Sequence, residues 1–255
     1  MLTASSNPQI RQLQKWQSKA SARREDGIFL AEGLRLVSEA PPQLVRKLYL
    51  SEHLAAQDVP ELALLVRSVP CETVADDLFP RISSTQTPQG VLAVLDRPSY
   101  SESDVFSVKN PLFLVCETLQ DPGNLGTIFR SAEAAGVSAL LLSSDSVDPF
   151  SPKVVRSTMG AIFRQRVLQL ELPYLADFLR EQELPLYGAA LAEDAEDIRN
   201  LELHRTALAV GSEGRGLSAE ILALCEKKII IPMQPDSESL NAAAAATVLM
   251  WEQTR

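Results

Sequence analysis

The residues of this chain best placed for chemistry stand just after buried apolar runs. Asn124 and Arg130 lie six positions apart in the stretch from Glu117 to Arg130, which also holds Asp121-Pro122-Gly123. Glu213 stands among Gly211, Gly214 and Gly216. Ser239-Leu240-Asn241 precedes five alanines, residues 242–246. A strand, a glycine-bearing turn and a helix N-terminus together make a favourable anion site at the edge of a parallel sheet. Arg130 then supplies a fixed cation, or else a surface ion pair. Glu213 could hold a cation or a polar loop, or simply be solvated in a tight strand–helix connection. The alanine run either lets a flat ligand come close or packs a small-residue helix on a sheet. The glycine spacing matches neither the dinucleotide fingerprint nor the phosphate loop ending in Lys-Ser/Thr.

Apolar runs bounded by turn formers suit fully buried strands at 112–116, 139–143, 186–190, 207–211 and 228–231, with helical stretches between them. That alternation predicts a parallel sheet with helices on both faces. Asn124 is expected to cap a helix carrying Leu125, Ile128, Phe129, Ala132 and Ala135 inward, stopped by Gly136. Ser218 is expected to cap the next, and Ser237 or Ser239 the last. On that last helix Leu240, Ala244, Thr247, Val248 and Trp251 form an apolar stripe.

Residues 96–110 begin with a polar, Pro/Ser-rich stretch, a linker signature. The expected organisation is therefore a small N-terminal α/β domain over 1–97, a linker over 98–110 and an α/β parallel-sheet domain over 111–255. In the first domain, strands are expected at 47–50 and 91–95 and a helix at 32–39. The net charge of −9 argues against nucleic acid, but residues 1–50 hold eight Lys/Arg against four Asp/Glu, a net of +4 that leaves −13 for the rest. Arg11, Lys15, Lys19 and Arg23 recur every four positions. On a helix opened by Pro8, with Ile10, Leu13 and Ala20 inward, they would form an outward basic ridge able to track phosphates, or a merely solvated face. Cys71, Cys116 and Cys225 are odd in number and far apart, so they read as reduced core residues without a disulfide framework. His53 and His204 have no companions at ligand spacing, and no metal site is expected. No apolar run approaches 18 residues, and the N-terminus lacks a signal-peptide core, so no membrane segment and a cytoplasmic location are expected.

Taken together, Asn124-x-Gly126-x-x-x-Arg130, Gly211-x-Glu213-Gly214-x-Gly216, and Ile231-Pro232-Met233 leading to Ser239-Leu240-Asn241 closely resemble the three signature motifs of the SpoU/TrmH family. These are RNA ribose 2′-O-methyltransferases of the SPOUT superfamily. Ser6-Asn7-Pro8, Phe29-Leu30-Ala31-Glu32-Gly33 and Thr87-Pro88-Gln89-Gly90-Val91 look like the substrate-binding extension of its ribosomal-RNA branch. Pro235 departs from the pattern, where glycine is usual. The resemblance implies a trefoil-knotted SPOUT domain behind a ribosomal-protein-L30-like domain, and a homodimer. It also implies S-adenosylmethionine held around Gly211, Gly216, Ile231, Met233 and Leu240. Arg130 would stand at the reacting hydroxyl, with Asn124, Glu213, Ser239 and Asn241 completing a polar wall. Ribosomal RNA is the expected substrate. A transfer-RNA enzyme, an antibiotic-resistance methyltransferase and a non-catalytic RNA-binding factor are the alternatives.

Overall fold

The computed structural model describes residues 1–100, 104–105, 111–212, 214–234 and 239–254, which fall into two compact units. The first comprises Met1–Ser99 and Asp148–Phe163; the second comprises Tyr100–Val147 and Arg164–Arg255. Most of the 98–110 segment expected as a linker lies outside the described residues.

In the first unit, helices α1 (Pro8–Ser18) and α2 (Ala20–Glu25) lead into β1 (Ile28–Glu32) and α3 (Leu34–Ser38). Strand β2 (Val45–Ser51), helices α4 (Glu52–Ala55) and α5 (Ala63–Ser68), and strands β3 (Cys71–Val74) and β4 (Val91–Asp96) follow. The sheet order is β1-β4-β2-β3, antiparallel at both pairings of β4 and parallel between β2 and β3. Ile10, Leu13, Ile28, Leu30, Phe79 and Leu92 fill its core. The helix expected at 32–39 begins later because Glu32 ends β1 and Gly33 turns at φ +99°, a region glycine enters freely. Cys71 is exposed, so it is not the core residue expected.

The helix from Pro8 forms as expected, with Asn7 capping it through Gln9 N–H. The basic ridge does not survive intact. Lys19 is extended (φ −120°, ψ 113°), so α2 restarts out of phase with α1 and the four-residue spacing no longer marks one face. Arg11, Lys15 and Lys19 are exposed, while Arg23 is 3% exposed. The Arg23 guanidinium donates to Trp16 O and Asp148 Oδ2, each at 2.7 Å. Ala20, expected inward, is half-buried. Phe150 and Phe163 pack on Phe29, with ring centroids 5.3 and 6.2 Å away. A segment from the far half of the chain thus completes the first unit's core.

The second unit holds β5 (Phe113–Cys116), α6 (Pro122–Ala135), β6 (Ala139–Ser143), β7 (Val167–Leu170) and α8 (Leu172–Glu181), with α7 (Pro152–Ser157) of the first unit between β6 and β7. Then come β8 (Leu186–Ala189), β9 (Glu196–Asp197), β10 (Ala207–Val210), α9 (Ala219–Leu224), β11 (Lys227–Ile230) and α10 (Ala242–Gln253). All pairings in this sheet are parallel, in the order β7-β6-β5-β10-β8-β11-β9. The five expected strands form within a residue of their expected ends. Strands β7 and β9 were not expected: one is a half-buried edge strand, and the other is two acidic residues with no apolar signal.

The pairing of Arg23 with Asp148 is mostly buried, at 4% and 16% side-chain exposure. Removing one partner strands the other's charge, so Arg23→Ala should destabilise the first unit by about 3–5 kcal/mol in urea unfolding. A loss below about 1 kcal/mol would equate the pair with an ordinary surface bridge.

Candidate active site

Strand order reverses where β5 meets β10, and ligands in parallel sheets bind beyond the carboxyl ends of strands at such reversals. Beyond β8, β10 and β11 lies a cavity of about 410 Å³, within the range of small-molecule sites. Its walls include Leu191, Ile230, Ile231, Met233 and Leu240, giving an apolar slot edged by Ser212, Arg215 and Ser239. Ala242 and Ala245 also line it, so the alanine run keeps one wall low.

Gly211 and Gly216 shape the floor. Gly216 N–H donates to Ser212 O at 2.8 Å, closing a turn in which Gly216 takes φ +67°. A Cβ on Gly211 would stand 2.0 Å from Gly216 O and 2.5 Å from Leu217 N, so no side chain fits. Gly214, in contrast, has nothing within 4 Å of such an atom. Beyond the turn, Ser218 caps α9 as expected through Ile221 N–H. Ser218 itself donates to Glu117 through its backbone N–H (2.7 Å) and hydroxyl (2.5 Å). Glu117 ties the end of β5 to the start of α9. That role was not among the expectations, although an acid directly after a buried strand is its visible signal.

The loop after β5 is held in an uncommon conformation. Thr118 adopts φ +53°, its N–H donating to Ser143 Oγ and its hydroxyl to Asp145. The Ser143 hydroxyl, and then Thr118, stabilise the Asp145 carboxylate and hold its pKa below the usual value. Asp121, rather than Asn124, caps α6: Pro122 takes the first helical position and Asp121 Oδ1 accepts from Asn124 N–H. The Asn124 side chain is thereby available to accept from Asn241 Nδ2 at 3.0 Å. Asn241, rather than Ser239, caps α10, accepting from Ala243 and Ala244 N–H; Ser237 lies outside the described residues. These contacts fix which way the Asn241 amide faces.

The expected apolar stripe of α10 is out of phase. Ala242, Ala243, Ala246, Leu249 and Met250 are buried, whereas Leu240, Val248 and Trp251 are exposed, Trp251 by 64%. A helix cap two residues later than expected, with near-uniform apolar composition, leaves tertiary packing to choose the face. Ser131 and Thr247 hydrogen-bond at 2.7 Å, pinning α10 to α6. Arg130 is exposed on α6, makes no ion pair with another described residue, and does not line the cavity. Gly211, Gly216, Ile231, Met233, Ser239 and Leu240 all do, while Asn124 and Asn241 stand together apart from its lining. Glu213 and Pro235 lie outside the described residues. Cys116 is buried, which raises its thiol pKa; burial and then the Glu117 charge push Cys225 up to about 11, so both are poor nucleophiles. Among the described residues no cluster of His, Cys, Asp and Glu could hold a metal ion.

Residues 111–251 match the SpoU rRNA Methylase family, and residues 7–93 match an MRM3-like substrate binding domain. The chain belongs to the SpoU rRNA methylase family. Its relatives include the 23S rRNA (guanosine(2553)-2'-O)-methyltransferase RlmP of Bacillus subtilis, 31% identical over 98% of this chain and 97% of that one. An uncharacterized tRNA/rRNA methyltransferase of Synechocystis is 35% identical over 100% of this chain and 93% of its own length. The SpoU methyltransferase AviRb of Streptomyces viridochromogenes, solved with AdoMet, superposes at a TM-score of 0.88 with 27% identity over 97% of each chain. The protein is an S-adenosylmethionine-dependent methyltransferase acting on ribose 2′-hydroxyls of RNA. The SpoU cavity fits this cofactor: an apolar slot for an adenine ring, over a floor where only a bare main chain can run.

That floor sets the expected outcome of two substitutions. Gly211→Ala should weaken S-adenosylmethionine binding by more than about tenfold, about 1.4 kcal/mol, in calorimetric titration. Gly214→Ala, with open space around it, should stay within about twofold. Equal affinities for both variants would show that the turn does not shape the cofactor site.

Proposed function

We propose that the enzyme methylates one ribose of large-subunit ribosomal RNA, acting in the cytoplasm as a homodimer whose sites each use Arg130 of the other subunit. The substrate reading is supported by similarity to a 23S rRNA enzyme along the whole chain, including residues 7–93. The dimer reading is supported by one observation above all: Arg130 is exposed and does not line the cavity of its own chain. Its helix packs on α10, which exposes Val248 and Trp251, apolar surface of the kind that marks an interface. A two-fold axis passing there would present Arg130 of one subunit to the cavity of the next.

In this reading the main chain around Gly211, Gly216, Ile231, Met233 and Leu240 holds the adenosine, within loops that the family resemblance assigns to a trefoil knot. S-adenosylmethionine, when bound, supplies an electrophilic methyl group on a sulfonium. A guanidinium is a poor general base, so Arg130 is not assigned the proton. Its task is to stabilise negative charge developing on the 2′-oxygen, while a neighbouring RNA phosphate takes the proton. Asn124, held by Asn241, orients the ribose. Ser239 completes the polar wall. Positioning supplies much of the remaining rate, since the donor is already activated.

Arg130→Ala should reduce kcat by more than about tenfold, a loss above about 1.4 kcal/mol, with cofactor affinity within a few-fold. Mixing Arg130→Ala and Gly211→Ala subunits should restore about a quarter of wild-type activity. Half of the random dimers are mixed, and each mixed dimer rebuilds one complete site. No restoration from subunits shown to exchange would place Arg130 in its own chain's site.

A further inference from the structure

The first unit holds two neighbouring cavities of its own. One, of about 450 Å³, is lined by Arg23, Ser84, Asp148, Lys153 and Arg156. The other, of about 280 Å³, is lined by Glu32, Gly33, Leu36, Gln89, Arg156 and Met159. Arg156 borders both and donates to Ser84 Oγ at 3.1 Å.

The first cavity has surplus positive charge in a chain of net charge −9. Its one carboxylate, Asp148, is taken by Arg23. Lys153 and Arg156 are exposed and make no ion pair with another described residue. Arg23 is 3% exposed and its Nε is buried without a hydrogen-bond partner. A buried guanidinium N–H left unpaired is costly, and an anionic oxygen entering the cavity is the partner it lacks. The field extends to the neighbouring Arg97, whose pKa is lowered by burial and by Arg24 and Arg23, against the opposing pull of Asp148.

The second cavity is chemically different. Its carboxylate, Glu32, is saturated: Ser83 Oγ, Ser84 N–H and Oγ, and Thr85 Oγ1 all donate to it. The cage orders the 83–85 loop and leaves Glu32 no acceptor for an incoming group. Arg35, Thr85 and Thr87 also line it, and its apolar surface comes from the buried Leu36 and from Met159, which is 42% exposed and at φ +51°. Beside them is the Gln89 amide, whose Oε1 accepts from Leu34 N–H and whose Nε2 has no partner among the described residues. A thioether surface with a free amide donor suits the face and edge of a base.

We propose that the first unit binds one unpaired RNA nucleotide, its phosphate on Arg23, Lys153 and Arg156 and its base against Leu36, Met159 and Gln89. Sequence-selective RNA recognition targets such splayed nucleotides, since the deep, narrow major groove of an A-form helix keeps side chains from its base edges. The site would fix which RNA the enzyme engages.

The test is fluorescence anisotropy of the full-length protein with a fluorescein-labelled ten-residue oligouridylate, at several salt concentrations. Arg156→Gln should weaken binding about tenfold and reduce the slope of log K against log salt by about 0.7, one phosphate contact on a single strand. Arg67→Gln removes the same charge elsewhere on the unit's surface and should change neither by a comparable amount. Met159→Ser, at an exposed position, should weaken binding about threefold without changing the slope. In methyl transfer to ribosomal RNA, both Arg156→Gln and Met159→Ser should raise KM and spare kcat. Equal behaviour of the Arg156 and Arg67 variants would overturn the phosphate assignment, and a silent Met159→Ser would overturn the base assignment. Tighter binding of a ten-base-pair duplex, or of free uridine monophosphate, than of the oligomer would replace the unpaired RNA nucleotide with another ligand.

Discussion

The cavity proposed for the cofactor depends on one contact of main chain with main chain. At the end of β10 the backbone of Gly211 runs so close to that of Gly216 and Leu217 that a single carbon atom would force them apart. This contact folds the chain back immediately after the strand. It brings Ser218 to Glu117, and so the start of α9 to the end of β5. The apolar slot beyond β8, β10 and β11 exists because that turn takes so little room. A larger residue would have to open the turn, and the wall of the slot would move with it.

A second, weaker constraint governs the polar side. Asp121 and Asn241 each cap a helix, and the latter's amide is then left to hold Asn124. Two helix starts from distant parts of the chain are joined through a single amide pair, with Ser131 and Thr247 repeating the connection further along. Arg130 rides on the outer face of this pair. The rigidity suits the role proposed for Arg130, because a fixed donor needs no reorganisation during reaction.

Much of this was legible in the sequence because it rests on strong local signals. The five buried strands of the catalytic sheet are continuous apolar runs, and their order with respect to the glycine-bearing turns identifies the family. Gly211, Gly216, Ile231, Met233, Ser239 and Leu240 do meet around one cavity. What the sequence hid was decided by tertiary packing. The buried face of α10 could not be read from a helix apolar almost all round; Pro122 at the first helical position moves the cap of α6 back to Asp121, and the cap of α10 falls on Asn241, which accepts from Ala243 and Ala244 N–H. Arg23 has the spacing of a surface ridge, but one extended residue at Lys19 turns it inward to meet Asp148. That partner is 125 positions away, beyond the reach of any periodicity.

The central claim is that this cavity and Arg130 together place a methyl group on a ribosomal ribose. The most direct measurement is a map of 2′-O-methylated positions in ribosomal RNA from a strain lacking the gene, compared with its parent. The expected result is loss at one ribose of the large-subunit RNA, restored by the wild-type gene and not by one carrying Arg130→Ala. An unchanged methylation map, or full restoration by the Arg130 variant, would contradict it.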